Sequence, residues 1–396
     1  MEERSVREID VRGKRVLLRV DFNVPLDVGT GNISDDNRIR ASLPTIQYLV
    51  DRGAKVIICS HLGRPKGKVV EGLSLKPVAE RLSRIMGLPV KMAGDCVGEE
   101  VEREAKELEG GEILLLENVR FHPEEETNDP GFARSLARLA DVYVDDAFGT
   151  AHRAHASTVG VSRYLPSAAG FLMEKELKAM GNLLHDYEHP FACLIGGAKV
   201  SDKIVLLQNM LKKIDILLVG GGMAATFLRA EGYGTGFSLV EMDRLDKAKE
   251  LLDDAHALHV SLRLPCDVVV SREIKKGSPC EVVSIESIPG DGYIVDIGPK
   301  TVELFCQKLT GCRTLMWNGP MGIYEIPEFS QGTRLMADFI SKVDAVTVVG
   351  GGSSAEIVQQ MGLSDKMTHV STGGGATLRF LEGTVLPGVE VLRKET

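Results

Sequence analysis

The stretch 55-KVIICSHLGRP-65 carries the feature that decides the fold, because a short apolar run ends there in polar and turn-forming residues. A run rich in β-branched side chains is typical of a buried strand, and Gly63 and Pro65 indicate a turn after it. The pattern recurs in the first half of the chain at 16-VLLRV-20, 112-EILLL-116 and 141-DVYVD-145. Longer helical patterns separate these runs, which predicts βαβ units and a parallel sheet.

Each predicted strand of the first half leads into basic or hydrogen-bonding side chains. Loops at the carboxyl ends of strands line the ligand crevice of open α/β sheets. Several arginines and histidines at one sheet edge would repel one another, so an anionic ligand is the simplest explanation for them. Arg38, which precedes a helical pattern, is expected to join the others. The candidates are Asp21, Asn23, Arg38, His61, Arg64, Arg120, His122, His152, Arg153 and His155.

The second half of the chain carries glycines where the first half carries arginines. The predicted strands 191-FACLI-195, 216-ILLV-219, 346-VTVV-349 and 369-HVST-372 lead into glycine-rich turns at 196–199, 220–222, 350–352 and 373–375. Glycine lets the backbone approach a phosphate closely, and the helix that follows directs its free N–H groups at it. One such turn is as compatible with a tight connection as with binding, but four of them favour a polyphosphate cradle. The first turn lacks GxGxxG and no GxxxxGK[ST] occurs, which disfavours a Rossmann dehydrogenase and a P-loop ATPase.

Length and composition set the class of protein. A chain of 396 residues exceeds the usual size of a single core, so we expect two domains. The formal net charge of −9 argues against general nucleic-acid binding. No apolar run approaches the roughly 20 residues of a membrane span, and the N-terminus lacks the apolar core of a signal peptide. We therefore expect a cytoplasmic protein with no membrane or nucleic-acid partner, and a monomer, since nothing in the sequence demands a second subunit.

The seven cysteines are scattered, with no CxxC pair and no spacing typical of a zinc site. We expect them to be reduced thiols, each a small buried apolar side chain. The sequence identifies no metal ligand.

The motifs taken together and in order resemble phosphoglycerate kinase over essentially the whole chain. The stretches that carry the resemblance are RVDFNVP (19–25), SHLGRP (60–65), ENVRFHPEE (117–125), DDAFGTAHRAHAST (145–158), GGAKVSDKI (196–204), GGGMAATFL (220–228), WNGPMGIYE (317–325) and STGGGA (371–376). Any one of them could arise by chance, but the ordered set is specific.

The resemblance implies two doubly wound Rossmann-like α/β domains whose parallel sheets face a central cleft. The expected domains are 1–170 with a returning segment 379–396, which binds phosphoglycerate, and 191–378, which binds the nucleotide, with a connecting helix and hinge at 171–190. The residues implied for 3-phosphoglycerate or 1,3-bisphosphoglycerate are Asp21, Asn23, Arg38, His61, Arg64, Arg120 and Arg153. Those implied for ADP or ATP are Lys199, Lys203, Gly221, Asn318, Glu325 and the loop Gly350–Gly352.

Two positions depart from the family pattern. The family usually carries an acidic residue after the third glycine of the GGG loop, where it helps to hold Mg²⁺, whereas this chain has Ser353 followed by Ser354. Ser353 could ligate Mg²⁺ beside the phosphates or cap the following helix, so the metal ligand stays open. Arg379 stands where the family usually has Glu, and we expect it on an exposed helix face.

The reaction implied is transfer of an acyl phosphate to MgADP. Arg38 and Lys199 are expected to contact the moving group, assisted by backbone N–H groups at Gly351 and Gly374. Two alternatives are a nucleotide sensor without activity and a different carboxylate kinase on the same scaffold.

Overall fold

A computed structural model of the protein describes residues 3–27 and 29–394. The chain divides into two compact units, the first formed by Met1–Lys178 together with Val385–Thr396 and the second by Ala179–Thr384. The helix Phe171–His185 begins in the first unit and ends in the second. The C-terminal segment is held to the first unit, where the Gly388 N–H donates to the Ala151 carbonyl at 2.9 Å.

The first unit is built on a six-stranded parallel sheet with the order β3-β4-β2-β1-β5-β6. In chain order its strands are β1 Arg15–Arg19, β2 Lys55–Cys59, β3 Val90–Met92, β4 Ile113–Leu115, β5 Val142–Asp145 and β6 Ser167–Ala169. The central strands β1 and β2 are apolar except at their ends, where Arg15, Arg19 and Lys55 lie, because helices cover a parallel sheet on both faces.

Helices fill the connections of the first unit. They are α1 Asn37–Asp51, α2 Lys76–Met86, α3 Glu99–Glu107, α4 Pro123–Glu126, α5 Pro130–Ala137, the boundary helix α6 Phe171–His185 and the C-terminal turn Pro387–Glu390. Ile46 and Leu49 of α1 and Leu82 of α2 are fully buried in the core cluster that contains Leu18 and Ile58 of the sheet. Burying one such side chain contributes about 1.5–3 kcal/mol, so this packing stabilises the contact between the helices and the sheet.

The second unit contains a second six-stranded parallel sheet, with the order β15-β14-β13-β7-β8-β9. A separate three-stranded antiparallel sheet has the order β11-β10-β12. The strands are β7 Phe191–Ile195, β8 Ile216–Val219, β9 Ser261–Arg263, β10 Asp267–Ser271, β11 Cys280–Ser284, β12 Tyr293–Ile297, β13 Thr314–Asn318, β14 Val346–Gly350 and β15 His369–Val370.

The helices of the second unit connect its strands. They are α7 Ile204–Met210, α8 Met223–Ala230, α9 Leu245–Ala257, α10 Pro299–Leu309, α11 Gln331–Ile340, α12 Gly352–Gln360 and α13 Gly375–Leu381; Pro387–Glu390 is therefore α14. Helices α10 and α11 also contact β10 and β12 of the antiparallel sheet. Trp317 of β13, the only tryptophan, is fully buried with Phe305 of α10 and Met336 of α11.

The predicted α/β class and the two parallel sheets are confirmed. Of the four glycine turns, three lead directly into helices, but the expectation for the turn at 196–199 was wrong because α7 begins only at Ile204. All seven cysteines are free thiols, yet Cys266 and Cys280 are exposed and Cys306 is half-buried, which corrects the expectation of burial for these three. No helix among residues 3–27 and 29–394 is long and apolar enough to cross a membrane.

Candidate active site

The first group of candidate residues surrounds Asp21, which follows β1. Its carboxylate pairs with the Arg38 guanidinium, and one of its oxygens lies 4.0 Å from the His61 Nε2 atom. Arg38 is the second residue of α1, so it lies within the first helical turn and not before the helix. Burial opposes ionisation of Asp21, but the positive charges of Arg38 and Arg19 and a hydrogen bond from the Asn23 N–H outweigh it and lower the pKa to about 2.

Side-chain amides join the ends of three strands. The Asn23 Oδ1 atom accepts the Gly63 N–H at 2.8 Å, which ties the loop after β1 to the loop after β2. The Asn118 Oδ1 atom accepts the N–H groups of Leu62 and Arg120, which ties the loop after β2 to the turn after β4. Arg120 completes the connection, since its guanidinium donates to the Gly63 carbonyl at 2.9 Å. The cationic side chains are therefore held on a rigid frame.

Positive charge is concentrated around Arg120. Burial and the charges of Arg19 and Arg153 lower the Arg120 pKa to about 10. Burial and the charges of Arg120, Arg19 and Arg153 likewise lower the His155 pKa to about 3. Burial also holds the pKa of His61 well below its ordinary value. Such a cluster costs free energy in the free protein, and an anion bound among these groups would relieve the repulsion.

A buried network behind this cluster was missed by sequence reasoning. Arg19 is fully buried, and its Nε atom donates to the Ser157 hydroxyl at 2.8 Å. Ser157 in turn donates to the fully buried carboxylate of Glu125, through its hydroxyl at 2.6 Å and its N–H at 2.9 Å. Burial raises the pKa of Glu125, although Arg19 and these hydrogen bonds oppose the rise. An arginine within the otherwise apolar run 16–20 was the available signal, because a buried strand does not carry a charge without a partner.

Two predicted residues have looser surroundings. Arg64 is exposed on the loop after β2. The Nε atom of Arg153 lies 3.2 Å from the His152 ring. The structure thus brings Asp21, Arg38, His61 and Arg120 together, with Arg153 close enough to Arg120 to affect its pKa.

The second group of candidates begins with Lys203, which immediately precedes α7. Its Nζ atom donates to the backbone carbonyl of Asn318, at the end of β13, at 2.9 Å and also to the Asn318 side-chain oxygen. Burial lowers the Lys203 pKa to about 7. The Asn318 Nδ2 atom is buried without a hydrogen-bond partner in the described part of the chain. A buried donor left unpaired indicates a site for an acceptor.

Glycines allow the loops of the second unit to pack closely. Gly221 has a φ of +66°, and a Cβ atom there would lie 2.6 Å from the Gly197 nitrogen and 2.7 Å from the Pro320 oxygen. Close packing between the loops is therefore sufficient to explain why residue 221 is glycine. The sequence had instead indicated a role for this glycine in nucleotide binding. Gly352 differs, since a Cβ atom at that position would meet no atom within 4 Å.

The loop after β14 leads into α12 through Gly351, which occupies the N-cap position. Ser353 lies inside the first turn, so the alternative that it caps the helix is excluded. Its hydroxyl hydrogen-bonds the Tyr324 side chain, whose own hydroxyl donates to Glu356 at 3.0 Å. Ser354 is fully buried, and its hydroxyl accepts the Gly319 N–H at 2.7 Å. Of the two adjacent serines, Ser353 is the one with partial exposure.

A pocket with an empty volume of about 1090 Å³, including its open mouth, adjoins these loops. Gly197, Gly221 and Ser353 line its polar side, and Glu325 lies at its exposed edge. The remaining walls are mostly apolar, with contributions from Leu239, Pro265, Val268, Ile274 and Ile323. An apolar cleft with a few polar groups on one side has the form of a small-molecule site.

Other predicted residues lie on the flanking loops. Lys199 is exposed on the loop after β7. Gly374 occupies the N-cap position of α13 with a φ of +50°. On the same helix, Arg379 is 62% exposed and pairs with Glu382 at 3.5 Å, which confirms the exposed position predicted for it.

Two α/β units, one with clustered guanidinium groups and one with glycine loops beside an apolar pocket, define an enzyme of the phosphotransferase class. The family model for phosphoglycerate kinase matches residues 6–384. The chain belongs to the phosphoglycerate kinase family.

Similar proteins cover this chain end to end. It is 54% identical over 395 residues to the phosphoglycerate kinase of Moorella thermoacetica, covering 100% of both chains, and 56% identical over 390 residues to that of Dictyoglomus turgidum, covering 98% of both. The solved phosphoglycerate kinase of Coxiella burnetii superposes with a TM-score of 0.86 at 41% identity and 99% coverage of both chains.

Proposed function

We propose that the chain transfers the acyl phosphate of 1,3-bisphosphoglycerate to MgADP, giving 3-phosphoglycerate and MgATP, and catalyses the reverse reaction. The observation that carries the proposal is the cluster of guanidinium groups at the strand ends of the first unit, where Arg120 is buried and Arg38 and Arg153 are half-buried, in a chain of this family. A site that holds like charges together in the free protein is suited to a multiply charged small acid.

On the acid side, we assign phosphoglycerate to Asp21, Asn23, Arg38, His61, Arg64, Arg120 and Arg153. The guanidinium of Arg38 is fixed by Asp21, which leaves donors free for a phosphate or carboxylate. The lowered pKa of His61 keeps its ring neutral, so it can serve as a hydrogen-bond donor without adding to the repulsion.

On the nucleotide side, we assign ADP or ATP to Lys199, Lys203, Gly221, Asn318, Glu325, Gly351, Gly352, Ser353 and Ser354. The apolar pocket suits a base, and the exposed carboxylate of Glu325 at its edge can accept hydrogen bonds from ribose hydroxyls. The polyphosphate then extends along the glycine loops towards the N-terminus of α12. For Ser354 the role is indirect, because its hydroxyl positions Gly319.

Mg²⁺ enters this reaction as part of the nucleotide substrate. The loop Gly350–Gly352 is followed by serines and not by an acidic side chain, and Ser354 already bonds Gly319. Ser353 is partly exposed and lines the pocket, whereas Ser354 is fully buried, so Ser353 is the hydroxyl of this pair that can ligate the ion, in exchange for its hydrogen bond with Tyr324. A single neutral ligand is chemically adequate, because Mg²⁺ usually keeps several waters and takes few protein ligands beside phosphates.

The residues of the two sites would supply positive charge to the transferred phosphoryl group and hold the substrates in position. The attacking group is a phosphate oxygen of ADP and the leaving group is a carboxylate, so the transfer requires no general base. Arg38 from the acid site and Lys199 from the nucleotide site would contact the moving group, assisted by N–H groups at Gly351 and Gly374. Fixed positive charge around the equatorial oxygens stabilises a loose phosphoryl transition state.

The assignment of acid and nucleotide to different units requires a closing motion. Reacting atoms must approach to roughly 3–3.5 Å, and exclusion of water protects the acyl phosphate from hydrolysis. We propose α6, which crosses the unit boundary, as the hinge element, in a cytoplasmic monomer. Small-angle scattering should detect compaction when both substrates are added; unchanged scattering would contradict the motion.

A coupled assay with 3-phosphoglycerate and MgATP tests the activity. Turnover with this acid is the expected result. Binding of nucleotide without turnover would indicate a sensor, and turnover only with another carboxylate would indicate a different kinase; either result would overturn the proposal.

A further inference from the structure

Three different metal-ligating side chains meet in the first unit, among residues that the proposed reaction does not use. They are Asp95 and Cys96, in the loop between β3 and α3, and His122, in the turn after β4. One ligand atom from each lies within 4.8 Å of the others. The His122 Nε2 atom is 2.7 Å from the Asp95 Oδ1 atom, and the Cys96 thiol is also hydrogen-bonded to the Asp95 carboxylate.

The backbone and the packing hold these three residues in place. The Asp95 carbonyl accepts the Glu117 N–H at 3.3 Å, and the Ala93 N–H donates to the Leu115 carbonyl at 2.9 Å. The His122 ring packs against Phe132 with ring centroids 5.2 Å apart. Because the loop and the ring are already fixed, binding an ion here requires little ordering of the chain.

The chemistry of the three ligands selects a class of metal. A thiolate sulfur, an imidazole nitrogen and a carboxylate oxygen together suit Zn²⁺, whereas Mg²⁺ prefers oxygen ligands. Cys96 is fully buried, while His122 and Asp95 retain 28% and 50% exposure and so offer an entry path.

We propose that Asp95, Cys96 and His122 bind one zinc-class divalent cation, with water in the fourth position. Metal–ligand bonds of about 2.0–2.3 Å place tetrahedral ligands roughly 3.3–3.8 Å apart, so the Asp95 and His122 side chains separate slightly as the ion enters. The Cys96 proton is released on binding. The ion then links the β3–α3 loop to the segment that follows Arg120.

Proton release gives the site a pH signature. Burial and the Asp95 charge raise the pKa of the Cys96 thiol, so the thiol is protonated in the free protein at neutral pH. Apparent metal affinity should therefore fall about tenfold for each pH unit below neutrality, because one thiol proton is displaced when the ion binds.

Cobalt titration of the purified full-length chain tests the site directly, because a Co²⁺–thiolate bond gives a charge-transfer absorption band. We expect one equivalent of Co²⁺ to produce the band, Zn²⁺ to abolish it and Mg²⁺ to leave it unchanged. Zn²⁺ should also raise the temperature of thermal unfolding, since an ion that binds only the folded state stabilises it.

Matched variants separate this site from adventitious binding to other thiols. Cys96→Ser and His122→Gln should each lower Co²⁺ affinity at least tenfold, whereas Cys280→Ser, which removes an exposed thiol of the second unit, should leave it unchanged. His122→Gln keeps the thiol and tests the site even if Cys96→Ser fails to fold. No band in the parent chain, or a band that survives His122→Gln and disappears in Cys280→Ser, would overturn the proposal.

Discussion

The Nζ atom of Lys203 donates hydrogen bonds to two oxygens of Asn318, its backbone carbonyl at 2.9 Å and its side-chain oxygen. This pair links the start of α7 to the end of β13. Burial lowers the Lys203 pKa to about 7, so at pH 8 the amine is largely neutral in the free protein. A phosphate nearby would favour the charged form and raise that pKa.

Nucleotide binding should therefore take up protons above neutral pH. Calorimetric titration with ADP at pH 8, in buffers of different ionisation enthalpy, should report uptake of a large fraction of one proton, and little uptake at pH 6. Lys203→Met should abolish this uptake, while Lys212→Met, which changes an exposed lysine on the surface, should not. Equal uptake in the parent chain and in Lys203→Met would contradict the assignment.

Substitution of Lys199 tests whether its side chain stabilises the transition state of phosphoryl transfer. The side chain is exposed, so truncation should leave the free energy of unfolding within about 0.5 kcal/mol of the parent value. Removing one preorganised donor commonly costs about 10²–10³ in turnover, so Lys199→Ala should lower kcat far more than nucleotide affinity. Steady-state kinetics and ADP titration measure the two effects, with Lys212→Ala as the control. Near-normal turnover would refute the role given to Lys199.

Substitutions at the adjacent residues Ser353 and Ser354 test metal binding and loop stability separately. Ser353→Asp should lower the Mg²⁺ concentration that gives half-maximal activity, because a carboxylate is a stronger ligand than a hydroxyl. Ser354→Ala should leave that concentration unchanged but destabilise the second unit by about 1–3 kcal/mol, since the buried Gly319 N–H loses its acceptor. Trp317 fluorescence reports unfolding of this unit. An unchanged Mg²⁺ requirement in Ser353→Asp would show that position 353 is not a ligand.

Ser157 connects Arg19 to Glu125, so its loss should affect both stability and acid binding. Ser157→Ala removes a hydroxyl that accepts from one buried ion and donates to the other, at an expected cost of about 1–3 kcal/mol. Hydrogen exchange of the β5 amides measures the loss of stability in the first unit. The KM for 3-phosphoglycerate should also rise. Ser162→Ala is the control, because its hydroxyl donates to the nearby Val159 carbonyl at 2.7 Å and does not join two charged groups. Unchanged exchange rates would argue against the network.

The sequence predicted eight strands, β1, β2, β4, β5, β7, β8, β14 and β15, because each is a short apolar run ended by turn residues. It did not identify β13 or the antiparallel sheet formed by β10, β11 and β12. KVIIC and FACLI coincide with β2 and β7 residue for residue. Side-chain networks were much less predictable. Glu125 and Ser157 are 32 residues apart in sequence and meet only through tertiary packing. Asp95 and His122 likewise come from separate loops, so no spacing motif indicates them.

Glycine was the least informative residue type. The sequence treats Gly221 and Gly352 alike, yet backbone crowding accounts for the first and open space surrounds the second. Ser353 and Ser354 are chemically identical, but the helical turn buries one of them and leaves the other partly exposed. These differences depend on which way a residue faces after folding, and a motif does not specify that.

Asp146 offers a test of stability against pH in the helix that crosses the unit boundary. Its Oδ1 atom accepts the N–H groups of Leu172 and Met173 at the start of α6, and burial raises its pKa to about 7. The folded chain then binds more protons than the unfolded chain between about pH 4 and 7. This carboxyl group therefore contributes stability at low pH that is lost as the pH rises through 7.

Asp146→Asn removes the titration and keeps an oxygen that can accept both N–H groups. The stability of the parent chain relative to this variant should therefore decrease with rising pH, by on the order of 1 kcal/mol per pH unit between about pH 5 and 7. Hydrogen exchange of β5 and α6 amides at several pH values measures the difference. Asp141→Asn should show no trend between pH 5 and 7 and the opposite trend below about pH 4, because Arg15 bonds and pairs with that carboxylate and lowers its pKa from 3.8. A pH-independent difference for Asp146→Asn would mean that this carboxyl group is ionised throughout the range, held by its hydrogen bonds to α6.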